Sequence, residues 1–322
     1  MLTIKPLLMT GVLSLASLGV GTVGLSYLGF SSLAQANHLA EKSEYFNDRG
    51  TFYNWFDLVD VQETVPGVFS LKYKNEQEFY YNHFIVTSAG VVIFDPLSDS
   101  AAEAAVAVIK EKAPGLPIAA IVYSHLHTDH IAGARVLRKA FGGEIPIIAH
   151  ERTKRFFERR DVPFIDMPTE VVSDAGKAFQ FGDTEIQLQY LGDVHTASIL
   201  VPVIPQKKVA YTVDYINGDV VGWTDLPGIN LDVLMAQQRR TLEVDAETFL
   251  FGHGAPGNKA TLQRQVDYFT ALQQAAREAL AAGWTEDQAA ERIELEEYRY
   301  FSNYDDWFEG NVRAFYRWEK NR

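Results

Sequence analysis

The sequence predicts a layered α/β fold followed by a helical extension. Short runs with strand alternation interleave with helical stretches from about residue 65 to 257, and the candidate ligands of a metal stand at the ends of those runs. Beyond Gly257 the apolar residues keep helical spacing only.

Taken in order, Gly67 to Tyr73 alternates as a strand, Phe79 to Thr87 does so again, and Gly90 to Phe94 reads as a buried strand ending at Asp95-Pro96. Ser100 with Glu103 reads as a capping box that opens a helix to Lys112. The apolar run Ile118 to Tyr123 predicts the next strand, Ile131 to Ala140 a helix, Pro146 to Ala149 a strand and Thr153 to Arg160 a charged helix. Ala178 to Leu191 predicts two strands around Gly182-Asp183. Strands over Ser198 to Val203 and Val209 to Val213 follow, then a long loop from Tyr215 to Asn230, a helix from Leu231 to Leu242 and a strand from Thr248 to Phe251. In the tail, Leu262, Val266, Phe269 and Leu272 form one stripe, and Tyr304, Trp307, Phe308, Val312 and Phe315 another; both read as core packed onto the domain. Thr285 with Gln288 is a second capping box.

The first residues read as an export signal. Lys5 precedes an uncharged stretch from Pro6 to Phe30, and Leu33-Ala34-Gln35-Ala36 supplies a small-x-small cleavage site, so the mature chain is expected to start at Asn37. Left uncleaved, the same segment is long enough to anchor the chain in a membrane. The expected organisation is a signal peptide over 1–36, a lead-in over 37–64, the α/β domain over 65–257 and the helical extension over 258–322.

Composition narrows the chemistry. With 47% hydrophobic and 22% charged residues in 322, a substantial core is available. The net charge of −13 and the lack of a basic patch argue against a nucleic-acid partner and leave a small-molecule substrate. Cysteine is absent, which excludes disulfides and thiolate ligands and leaves His, Asp and Glu to bind metal.

The run Ser124-His125-Leu126-His127-Thr128-Asp129-His130 gathers three imidazoles and a carboxylate within six positions. All are electron-pair donors, so a cation is the economical reason for their concentration. His125 and His127 lie two apart on an extended segment and face the same way, whereas Asp129 and His130 sit where a helix begins. Two ligands therefore point one way and two another, which suits two adjacent metals. Downstream, His195, Asp214 and His253 each follow a predicted strand.

Together, His-x-His-x-Asp-His at 125–130, Gly-x-x-His-Thr at 192–196, Asp214 and Gly252-His253 resemble the metallo-β-lactamase-fold hydrolases from about Val65 to Gly257. The resemblance implies a four-layer αββα sandwich with metals at one edge of the sheets. It also implies that His125, His127 and His195 hold one metal, that Asp129, His130 and His253 hold the second, and that Asp214 bridges them. Ligand type suits two zinc ions, with iron or manganese as alternatives. An aspartate at 214 resembles the lactonase, glyoxalase II and ribonuclease Z branches rather than β-lactamases proper, and Asn217 stands where many penicillin-cleaving members carry a lysine. The expected activity is hydrolysis of an ester, lactone, thioester or amide by a metal-bridging hydroxide, with Asp129 also carrying a proton. The rival expectations are a mononuclear iron persulfide dioxygenase, a β-lactamase and a non-catalytic periplasmic metal-binding protein.

Among the remaining residues, His38, His83 and His150 read as structural. Asp95 is expected to hydrogen-bond a ligand imidazole, and Tyr215 and Trp223 to line the pocket.

Overall fold

Two β-sheets, each drawn from one continuous half of the chain, meet face to face. The computed structural model describes residues 56–75, 78–160 and 162–322, so the export segment, His38 and most of the expected lead-in lie outside it. The first sheet holds β1 (Asp57–Val65), β2 (Val68–Lys74), β3 (Phe79–Thr87), β4 (Gly90–Phe94), β5 (Ile118–Val122), β6 (Ile147–His150) and β7 (Glu170–Val172) in sequential order. β1 to β4 form an antiparallel meander, and β4 to β7 run parallel through helical crossovers. The second sheet holds β8 (Lys177–Phe181), β9 (Thr184–Gln189), β10 (Val201–Ile204), β11 (Val209–Thr212), β12 (Thr248–Phe251) and β13 (Gly257–Asn258), again in sequential order.

The helices are α1 (Asp99–Lys112), α2 (Thr128–Ile131), α3 (Ala134–Phe141), α4 (Glu151–Glu158), α5 (Leu231–Thr241), α6 (Lys259–Ala281), α7 (Glu286–Arg292) and α8 (Tyr304–Lys320). Three apolar layers show how they stack. Ile85, Val92 and Val122 of the first sheet pack against Ile186, Val209 and Leu250 of the second. Behind the first sheet, Phe84, Ile93 and Ile121 meet Ala105, Val108 and Leu137 of α1 and α3. Behind the second, Phe249 and Phe251 meet Leu234 of α5, Leu262 and Phe269 of α6 and Phe315 of α8. The order of layers is therefore helix, sheet, sheet, helix, each layer burying one apolar face on its neighbour. Among the described residues, no helix is long and apolar enough to cross a membrane.

Several expectations need correction. The sheet begins at Asp57, inside the expected lead-in, because β1 pairs along β2. As an edge strand it exposes Asp57, Asp60 and Glu63 while burying Leu58, so its alternation is masked by charge. α1 starts two residues earlier than the capping box suggested: Ser98 is its N-cap, and Ser100 instead accepts from the backbone N–H of Phe56 at 3.0 Å. The helix expected from Ile131 is divided into α2 and α3 at Gly133, where a Cβ would lie 2.6 Å from the Pro96 carbonyl oxygen. The capping box at Thr285 and Gln288 is present as expected.

The tail is continuous with the core. Asn258, the last residue of β13, caps α6, and tail residues share one apolar cluster with the second sheet. Trp307 is the exception within its stripe, since it also borders a cavity.

Candidate metal centre

β5 carries the chain to Ser124 and His125 at the edge where the two sheets meet, because the pairing of β5 with β4 places Val122 beside Phe94 and the next residues beside Asp95. Asp95 is fully buried and held in left-handed backbone, φ 50°, which a short polar side chain tolerates. It accepts from the Ser124 backbone N–H at 2.8 Å, from the Ser124 hydroxyl at 2.6 Å and from the Tyr211 hydroxyl at 2.7 Å. Having donated its proton to Asp95, the Ser124 hydroxyl accepts from Nδ1 of His125 at 2.9 Å. That fixes the His125 tautomer and turns its Nε2 lone pair towards Asp214 Oδ2, 3.0 Å away. Asp95 thus reaches a ligand-type imidazole through Ser124, and it also lies 3.6 Å from Nδ1 of His130.

Asp214 follows β11, again in left-handed backbone, φ 63°. Its two oxygens face two different groups. Oδ2 lies 3.0 Å from Nε2 of His125 and 3.1 Å from Nε2 of His195, whose ring is 2.9 Å from Nδ1 of His127. Oδ1 lies 3.0 Å from Nε2 of His253 and 3.4 Å from Nε2 of His130. The structure therefore brings together His125, His127, His195 and Asp214 as one set that could hold a metal, and His130, Asp214 and His253 as another. Asp129 stands at the margin: its Oδ2 is 3.6 Å from Nε2 of His130 and accepts from the Tyr80 hydroxyl at 3.1 Å.

His195 is not at a strand end. β9 stops at Gln189, and His195 lies in the loop before β10. Tyr215 is not among the residues that line the cavity at the centre: it is buried, and its hydroxyl pairs with that of Thr241 at 2.9 Å. His83 and His150 are structural as expected. His83 is buried between Ser70 and the Phe251 carbonyl, and His150 caps α4 and contacts Asp174.

Glu78 is a residue that the motif reading missed. It stands just before β3, and its Oε2 lies 3.0 Å from Nδ1 of His253, which also faces the Phe79 carbonyl oxygen at 3.1 Å. Both acceptors put the proton on Nδ1 and leave Nε2 as a lone pair facing Asp214. Nothing in the local sequence marks Glu78, because its partner is far along the chain and meets it only where the sheets join.

The electrostatics follow from burial of opposite charges. Burial by itself raises Asp214, yet the surrounding imidazoles His130, His195 and His125 hold it well below the usual carboxylate range. His127 is pushed far down, first by burial and then by His125 and His195. Burial alone lowers His253, but Glu78 and Asp214 outweigh it and hold the group up at about 10 when no cation is bound; a cation at Nε2 would take the place of that second proton and leave the one on Nδ1. Nε2 of His125 and both ring nitrogens of His130 are buried without a hydrogen bond of ordinary geometry. Buried nitrogens of this kind are costly unless something takes their lone pairs, and a divalent cation between them and Asp214 does so. The donor set therefore fits metal.

A cavity of about 160 Å³ opens over the centre, lined by His127, Asp129, His195 and Asp214 together with Asn217 and Trp223.

A family model for the metallo-beta-lactamase superfamily matches residues 79–253, more than half of the 322-residue chain. The fold is similar to that of a metallo-beta-lactamase from Pontibacter korlensis, at 18% identity and a TM-score of 0.55 over 65% of this chain and 97% of that one. It is similar also to the DIM-1 metallo-beta-lactamase, at 18% identity and 0.55 over 66% and 97%. A stereoselective inverting sec-alkylsulfatase, Pisa1 from Pseudomonas sp., matches at 16% identity and 0.62 over 90% of this chain and 59% of its own. Coverage of 90% exceeds the share of the chain that precedes Asn258, so this last likeness extends into the helical tail. With the family match spanning both sets of side chains around Asp214, the chain belongs to the metallo-beta-lactamase superfamily.

Proposed function

We propose that the protein is a dinuclear metal-dependent hydrolase that cleaves an ester, lactone, thioester or amide bond. The observation that carries this reading is the division of Asp214, one oxygen facing His125 and His195 and the other facing His130 and His253. A carboxylate shared in this way suits two cations; His125, His127 and His195 would hold one and His130 and His253 the other, with Asp129 beside the second. Divalent cations there would supply Lewis acidity and lower the pKa of a water to near neutral.

The chain's own groups do the rest. Ser124, Asp95 and Glu78 fix the imidazole tautomers, so that no donor atom needs to reorient during turnover. Asp129 lines the cavity with one oxygen held by Tyr80, where it can take a proton from attacking solvent and return it to the leaving group. The cavity wall orients the substrate over these groups.

Elemental analysis of protein purified without added metal tests the dinuclear reading: close to two zinc per chain supports it, and one iron favours the dioxygenase reading. Turnover is then measured on a panel of lactone, aryl ester, thioester and β-lactam. The likeness to an alkylsulfatase adds an alkyl sulfate to that panel. Two bound metals with no turnover on any member would favour a non-catalytic binding role. We propose export on residues 1–36 alone, and a mature mass that begins anywhere other than Asn37 would count against it.

A further inference from the structure

The lining of the cavity is of two unlike kinds. One is imidazoles and carboxylates. The other, the apolar wall, is Val220, Val221, Trp223, Leu226, Ile229 and, from the helical tail, Trp307, of which Val221, Leu226, Ile229 and Trp307 pack in one apolar cluster. Among the described residues that line it there is no Lys or Arg, and the charged groups other than His are acidic: Glu78, Asp129 and Asp214.

The wall is held in place by the tail. The side chain of Asn311 is fully buried in α8, and its Oδ1 accepts from the Gly222 backbone N–H at 2.8 Å while its Nδ2 donates to the carbonyls of Gly222 at 2.8 Å and Thr224 at 2.7 Å. Tyr268 of α6 donates to the same Oδ1 at 2.9 Å. Ser302 pairs with Asp219 and Val221 through backbone bonds of 2.9 and 3.2 Å, and Arg264 forms a two-pronged pair with Asp219 at 2.8 and 2.6 Å. Gly310 lets α8 approach the loop, since a Cβ there would lie 2.6 Å from the Thr224 carbonyl oxygen. A loop of this length lacking secondary structure is ordinarily mobile, and here its stretch from Asp219 to Thr224 is fastened to the tail.

We infer that the helical tail is the specificity element of the site, and that it selects substrates whose non-reacting part is a bulky, uncharged, apolar group. Burial against valine, leucine, isoleucine and two indoles favours such a group, and each methylene covered adds a few-fold in affinity. A second anionic group on the substrate, remote from the centre, would meet no cation on this wall and would lie near carboxylates instead. The inference rests on the hydrolase reading only for the position of the reacting bond.

Hydroxamates separate the two, because their head groups chelate metal without being turned over and their tails sample the wall. The affinity of metal-loaded protein for acetohydroxamate, hexanohydroxamate, octanohydroxamate and suberic monohydroxamate is read by quenching of tryptophan fluorescence. Affinity is expected to rise about threefold per methylene along the alkyl series. The terminal carboxylate of suberic monohydroxamate should cost at least tenfold against octanohydroxamate. Trp307→Ala and the milder Trp307→Leu should both shrink the ratio of octanohydroxamate to acetohydroxamate affinity. Equal affinities along the series, preference for the carboxylate-ended ligand, or no binding by protein of measured metal content would overturn the inference. A rising series in a protein inactive on every ester, thioester, lactone and amide would leave the wall as described and sink the hydrolase reading alone.

Discussion

Glu78 Oε2 lies 3.0 Å from Nδ1 of His253, and the two residues are brought together from opposite ends of the α/β domain where β3 meets the loop after β12. The pair does for the second set of ligands what Ser124 and Asp95 do for the first. Outer partners of this kind are typically worth about 10- to 100-fold in metal affinity. Glu78→Gln keeps the size and removes the charge, so metal affinity of the second set should fall by that factor while the first set keeps its ion. Competition against a chromophoric chelator reads both. Two equally tight ions in the variant would show that Glu78 only packs.

Asp129 is expected to act on the proton rather than on the fold. Asp129→Asn keeps the shape and a neutral oxygen for Tyr80, but cannot accept a proton. On the substrate identified by the panel, kcat should fall about 10²- to 10⁴-fold with a much smaller change in KM. A kcat within a few-fold of the parent, with two metals bound, would make Asp129 a ligand alone.

Asn311 ties the tail to the substrate loop with bonds to Gly222, Thr224 and Tyr268. Asn311→Leu fills nearly the same volume yet leaves those buried groups unpaired, at about 1–3 kcal/mol each before relaxation. Urea unfolding should show a loss of several kcal/mol, and KM should rise more than kcat falls. A variant as stable as the parent would mean that the loop is held by its other contacts.

His83 supplies a pH dependence away from the metal centre. Burial holds it down at about 4, although its bond to the Phe251 carbonyl and the charge of Asp95 act the other way. Because the folded value is below the unfolded one of about 6.5, the unfolded chain takes up the proton first as pH falls. The contribution of neutral His83 is complete above that pH and is lost between about 6.5 and 4, some 3 kcal/mol in all on a shift of this size. His83→Gln should therefore flatten the fall in unfolding free energy between pH 7 and 4.5. Parallel curves for parent and variant would refute the assignment.

Legibility in the sequence followed the range of the interactions. His125, His127, Asp129 and His130 are adjacent, and strand ends marked Asp214 and His253, so the centre could be assembled on paper. His195 was found by its motif, although it sits in a loop. Glu78 and Tyr211 left no local trace, since each acts on a partner across the junction of the sheets, and Tyr80 left none because Asp129 lies far along the same tract. β1 was hidden by surface charge, and Trp307 by the resemblance of a cavity-lining indole to any other residue on an apolar helix stripe.

Each sheet is a contiguous tract, β1 to β7 and then β8 to β13, and the centre takes His125, His127 and His130 from one and His195, Asp214 and His253 from the other. Neither tract owns a complete donor set. Metal affinity would therefore be a property of the two tracts docked together, and an ion held there would work as a rivet whose grip grows with the logarithm of free metal concentration. Neither tract alone presents a complete set to an ion, so capture would have to await the closing of the second tract on the first.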